Sequence, residues 1–351
     1  MSDGNHKPHF PALDGLRALA VALVLLGHTT FENYRPKEFA SLGVHLFFVL
    51  SGFLITALLL RESEATGRID LRAFFVRRVL RIFPAYYAFL GTLAALIGLG
   101  WITDVPWYSW AASALFVANI WGRGTAVGHT WSLSLEEQFY LAWPTLFLLL
   151  GSSTRRLQAA IAGILAIWVL RISAIALGWS DYETGAVYMR PWFRFDSLIL
   201  GCALALAYTP RGTWEVRRTP FSLVWVAPLL VAWSVWAEKF FLGRVLFTTV
   251  QGLLCGAFLL ALMDLQKRPA WARVFEHATT RWLAALSYPL YLWQQIFLYP
   301  AQRGILESFV LTFGVAAISY YGLERPILRK RRALSEARPS PQPGLLSRRY
   351  S

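Results

Sequence analysis

The sequence predicts an all-α bundle of about ten transmembrane helices with both termini cytoplasmic, and three observations predict it. Of the 351 residues, 56% are apolar and only 15% charged, against about 25% charged in an ordinary soluble domain. The apolar residues fall into blocks, ten of which approach the roughly 20 residues that cross a bilayer. The 34 Lys and Arg exceed the 20 Asp and Glu, for a net charge of +14, and most of these cations lie between the blocks. This pattern excludes a disordered chain, a disulfide-stapled chain and a basic-groove nucleic-acid binder. The cysteines Cys202 and Cys255 both sit inside apolar runs, where small buried hydrophobes are expected. The first block has no small-residue cleavage site after it, so no cleavable signal peptide is expected.

In order, the predicted spans are Leu13–Thr30, Leu42–Leu60, Pro84–Gly100, Leu133–Leu150, Leu157–Leu177, Trp192–Tyr208, Phe221–Ala237, Val245–Met263, Trp282–Leu298 and Gly304–Leu323. An eleventh block, Trp107–Trp121, is short and rich in Trp, Ser and Asn. The distribution of Lys and Arg decides its role. With ten spans, 24 basic residues fall inside and 7 outside; with eleven, 12 fall inside and 19 outside. Ten spans are therefore expected, with the Trp-rich block at the outer interface. Residues 1–12 form a cytoplasmic segment and 13–324 the transmembrane domain. Residues 325–351 form a basic cytoplasmic tail, expected to be disordered, whose Arg329, Lys330, Arg331 and Arg332 suit anionic headgroups.

Ionisable residues inside a bilayer cost about 2.5–3.5 kcal/mol each and need a reason. The first span holds Asp14, Arg17 and His28. Eleven residues advance a helix by three turns and about 20°, so Arg17 and His28 share one stripe, roughly 16 Å apart. After the second span comes a cytoplasmic loop with Arg77, Arg78 and Arg81. Its charge alone reads as a topological anchor, although arginine forks also suit phosphates. GHTWSLSLEEQFY contains His129, Glu136, Glu137 and Tyr140. Ser134 and Glu137 have capping-box spacing, which leaves Glu136 without a structural role. Arg194 and Asp196 are two apart, so each needs a partner on another span. His45 opens the second span.

Ten-span topology puts His28, His45, His129, Glu136, Glu137, Arg194 and Asp196 in the outer half and Arg17 with the arginine loop in the inner half. That separation suits a group crossing the membrane, most economically by acyl transfer, with His28 as general base on an alcohol and a carboxylate orienting its ring. A transporter or flippase using the buried charges as a path is the other class these residues admit. No Walker A motif, G-x-G-x-x-G strand turn, G-x-S-x-G elbow or zinc-spaced His pair occurs. No metal is expected.

These strings resemble the acyltransferase 3 family of integral membrane acyltransferases over nearly the whole chain and in order. LDGLRALAVALVLLGH resembles the first helix, GVHLFFVLSGFLIT the second, RRVLR the arginine motif, HTWSLSLEEQFY and RFDSLILG two further signatures, and Glu324-Arg325-Pro326 the closing motif. The resemblance implies transfer of an acyl group, commonly acetyl, from cytosolic acyl-coenzyme A. The acceptor it implies is a hydroxyl of a polysaccharide, lipopolysaccharide or glycosylated metabolite, at the cytoplasmic (inner) membrane. No cofactor would be permanently bound. It implies His28 as the base, Arg17 as its partner, Glu136 as the carboxylate, and Arg77, Arg78 and Arg81 on the coenzyme A phosphates. Two residues depart from the pattern: His45 stands where the family usually has Asp, and Gln294 where it usually has His. Some members carry a fused SGNH-type esterase domain, and the chain length suggests the form without it.

Overall fold

A computed structural model describes residues 11–29, 36–122, 126–178, 189–209, 220, 222–236, 241–264, 270–298 and 304–336. All regular structure among them is helical: α1 (Pro11–His28), α2 (Lys37–Thr66), α3 (Leu71–Gly98), α4 (Trp107–Ala114), α5 (Ala118–Trp121), α6 (Thr130–Leu150), α7 (Ser153–Ala176), α8 (Pro191–Arg194), α9 (Asp196–Tyr208), α10 (Leu223–Trp236), α11 (Phe241–Met263), a 3-10 turn (Ala270–Glu276), α12 (Ala278–Ala285), α13 (Ser287–Leu298), α14 (Ile305–Ser319) and α15 (Arg325–Glu336). Among these residues five helices are long and apolar enough to cross a membrane: Lys37–Thr66, Leu71–Gly98, Ser153–Ala176, Val245–Met263 and the continuous Ile305–Arg331. The Trp-rich block is two short helices, α4 and α5, neither of spanning length.

The centre of the bundle is α2. Its most apolar stretch and that of α11 are each 78% buried, against 22–33% for α3, α7 and α14, so the latter three present most of their surface outward. Helices α1, α9 and α11 pack on α2. The α2–α9 contact depends on glycine: a Cβ on Gly52 would lie 1.9 Å from the Leu198 carbonyl oxygen, and one on Gly201 2.1 Å from that of Val49. Small residues allow this approach where apolar burial gives no net drive between helices.

Two predicted spans are interrupted, for identifiable reasons. Between α8 and α9, Arg171 takes the Phe193 carbonyl, and the Ser197 amide donates to Asp196 Oδ1 at 2.9 Å instead of back to Phe193. Between α12 and α13 the chain breaks at Leu286. Pro289 there lacks the amide that would bond Ala285.

The structure corrects two further expectations. The arginines predicted in a loop lie on α3, which begins at Leu71 because the Asp70 carboxylate accepts from the Ala73 amide at 2.9 Å. The preceding α2 ends at Gly67, in the left-handed conformation (φ 68°). The expected disordered tail, residues 325–351, is helical as far as Glu336. After a π-turn over Tyr320–Glu324, the chain continues as α15 to Glu336, and Arg331 donates to the Arg77 carbonyl of α3 at 3.2 Å. Residues 1–10 and 337–351 lie outside the described residues.

Candidate active site

Helices α1, α2, α3, α6 and α13 enclose a cavity of about 250 Å³. Arg17, Arg78 and Arg81 reach it from α1 and α3, Glu136 and Tyr140 from α6, Ser51 from α2, and Tyr291 from α13. Phe47, Phe48, Leu54 and Ile55 make its apolar wall. The cavity thus combines cations, one carboxylate and a greasy lining, as a site for an anionic ligand with an apolar arm requires.

The polar groups are held by named partners. Ser51 donates to Glu136 Oε1 at 2.7 Å. The Arg78 guanidinium lies 3.1 Å from the Tyr140 ring centroid, a cation–π contact. Its Nε is 3.6 Å from Glu137 Oε1 and has no hydrogen-bond partner among the described residues. Arg17 pairs with Asp14 one turn away, at 3.4 Å. Arg81 is exposed at the cavity's edge. Arg77 does not line the cavity; it is 46% exposed and pairs with Glu62 at 3.3 Å.

The expected capping box does not form. Helix α6 begins at Thr130, four residues before Ser134, which donates to the Thr130 carbonyl at 2.9 Å and accepts from Ala118. Glu136 and Glu137 therefore lie in the second turn, beside the arginines rather than with His28. The expected division, carboxylates outside and arginines inside, gives way to one mixed cluster because α6 starts earlier than its apolar run suggests.

His28 is not among the residues lining the cavity. Its Nδ1 donates to the Val24 carbonyl at 2.9 Å, and its Nε2 lies 3.3 Å from Gln295 Nε2. Gln295 also accepts from the His129 backbone amide at 3.2 Å and faces His129 Nδ1 at 3.1 Å. Tyr291 joins this group to the cavity: its hydroxyl contacts Ser132 and donates to the His129 carbonyl at 3.1 Å. Among the described residues, the side chain facing His28 Nε2 is Gln295. Sequence reading missed it, although its neighbour Gln294 had drawn attention.

His45 and Arg194 form a separate buried pair. His45 Nδ1 donates to Ser41 at 2.7 Å, and its Nε2 accepts from Arg194 at 2.8 Å. Arg194 also lies 5.6 Å and 5.8 Å from the Phe48 and Trp131 ring centroids. Asp196, fully buried, accepts from Arg171 at 2.9 Å, Thr248 at 2.8 Å and Thr249 at 2.6 Å. That network fastens α9 to α7 and α11, away from the cavity. The sequence signal was an arginine in the middle of a span, Arg171. Among the described residues no cluster of three or more His, Cys, Asp or Glu is arranged to hold a metal ion.

Peptidoglycan O-acetyltransferase OatA of Listeria monocytogenes serovar 1/2a is 27% identical over 369 residues, covering 92% of this chain and 56% of its own length. YrhL of Bacillus subtilis strain 168, provisionally named a peptidoglycan O-acetyltransferase, is 29% identical over 361 residues, 92% of this chain and 55% of its own. A Staphylococcus aureus strain COL protein, provisionally named an O-acetyltransferase, is 28% identical over 362 residues, 92% and 58%. The chain therefore spans a little over half the length of these relatives. No solved structure matches it. Residues 10–322 match the acyltransferase domain family, and the chain belongs to that family.

Proposed function

We propose that this chain is a membrane-embedded O-acyltransferase. It takes an acyl group, acetyl foremost, from cytosolic acyl-coenzyme A and transfers it to a hydroxyl of a cell-envelope glycan. One observation carries the reading. Arg17, Arg78, Arg81 and Glu136 converge on one cavity, and the helix that brings Arg17 to it ends on His28. In the ten-span topology with cytoplasmic termini, Arg78 and Arg81 face the cytosol and His28 the outer side of the inner membrane. The arginine forks hold the donor's phosphates, and the apolar wall takes its pantetheine arm. His28 removes the proton of the acceptor hydroxyl as the alkoxide attacks the thioester carbonyl, and the coenzyme A thiolate leaves. Glu136 stays on the donor side of the cavity. The relatives' names favour a peptidoglycan sugar as acceptor, and family membership favours transfer over translocation.

The test is acyl transfer by purified protein in liposomes, with labelled acetyl-coenzyme A and glycan fragments. His28→Ala is expected to reduce turnover by about 10²-fold or more, the scale of lost base catalysis, while still inserting. Near-normal turnover would overturn the reading.

A further inference from the structure

His28, Gln295 and His129 come from three helical regions and are joined by hydrogen bonds that can run in only one direction. The Val24 carbonyl can only accept, so the His28 Nδ1 at 2.9 Å carries a proton. The His129 backbone amide can only donate, so the Gln295 atom 3.2 Å from it is the carbonyl oxygen. These two backbone groups remove the usual ambiguity of a glutamine flip and a histidine tautomer. The Gln295 NH2 must then face His28 and donate to Nε2 at 3.3 Å. His129 Nδ1 supplies a second donor to the Gln295 oxygen at 3.1 Å. Gln295 and His129 are 8% and 2% exposed, so water does not compete freely for these bonds.

We infer that Gln295 is a positioning residue: anchored by His129, it holds His28 as the Nδ1–H tautomer with Nε2 unprotonated and accepting from the Gln295 amide. The role rests on the reading of His28 as the base. Nε2 is then the atom that takes the acceptor's proton, and the incoming hydroxyl replaces the Gln295 amide as its partner. The neutral amide matters. A carboxylate at 295 would accept from both neighbours and would favour a proton on Nε2, the state in which His28 cannot act as base. A methionine would fill the space with neither donor nor acceptor, removing the donor that opposes a proton on Nε2 and leaving the Val24 bond to hold the tautomer without it.

The experiment is nitrogen-15 NMR of histidine-labelled full-length protein in detergent, with His28 assigned by its loss in His28→Ala. The wild type is expected to show one neutral tautomer, protonated at Nδ1. Gln295→Met should raise the share protonated at Nε2, and Gln295→Glu should protonate both ring nitrogens at neutral pH. Gln294→Met, at the adjacent position, is the folding control and should leave the His28 signals in place. In parallel, Gln295→Met should lower kcat roughly tenfold or more at little change in KM for the donor, part of the roughly 10²–10⁴ that base catalysis supplies. Unchanged His28 signals in both Gln295 variants would overturn the inference. If those signals move while His28→Ala retains turnover, the positioning stands and the transfer reading falls.

Discussion

The Ser51 hydroxyl donates to Glu136 at 2.7 Å, joining α2 to α6 at the wall of the cavity. The bond fixes which carboxylate oxygen faces Ser51. Glu136→Gln keeps the accepting oxygen but removes the charge and is expected to lower acyl transfer about 10²-fold. Ser51→Ala removes only the orienting bond, whose net worth is about 1.5–3 kcal/mol when charge-assisted, and should lower transfer about tenfold. Both are read as initial rates with labelled acetyl-coenzyme A. Equal losses would assign Ser51 more than positioning.

Arg78 and Arg77 are adjacent in sequence and differ in place. Arg78 lines the cavity over Tyr140, whereas Arg77 pairs with Glu62 outside it. Arg78→Lys keeps the charge but loses the fork and the stacking, and should weaken acetyl-coenzyme A binding about tenfold by calorimetry. Arg77→Ala should change that affinity less than twofold, because its exposed ion pair contributes little. Equal effects would place the donor's phosphates elsewhere.

The Arg171–Asp196 pair is buried, at 4% and 0% side-chain exposure, and removing one partner strands the other charge. Arg171→Met is expected to destabilise the fold by about 3–5 kcal/mol. The double variant Arg171→Met with Asp196→Leu should recover much of that loss, because no buried charge is left alone. Thermal unfolding in detergent, followed by tryptophan fluorescence, distinguishes the two. Equal instability of single and double variants would mean the pair does more than fasten helices.

Gln294 is fully buried, and neither atom of its amide has a partner among the described residues. It shares a helix face with Leu290 and Leu298, which belong to the cluster of Val21, Leu25 and Ala316. Gln294→Met is expected to raise stability by about 1–3 kcal/mol, the cost of an unsatisfied buried polar group, with transfer unchanged. A fall in the unfolding midpoint would show that the amide is partnered in the membrane.

Much of the helical layout was legible in the apolar blocks, and the Trp-rich block forms two short helices. The breaks at Phe195 and Leu286 were not. One follows from a long-range bond by Arg171, and the other from a proline inside an otherwise apolar run. The arginine motif was recognisable, but its division into a cavity-facing Arg78 and an outward Arg77 depends on how α3 is rotated against α6.

By itself, the sequence determined an all-helical, apolar fold and singled out His28, Arg17, Glu136 and the α3 arginines as polar groups needing a reason. Those signals are local: block length, helical spacing and the cost of charge among apolar neighbours. Tertiary structure alone decided which of them meet. It placed Glu136 with Ser51, 85 positions away, and with the arginines, and placed His28 beside Gln295, 267 positions away. Helical periodicity gives the face of one helix, whereas the partner across a contact is set by packing, here by glycines that let α9 close on α2 and by an α6 that begins at Thr130.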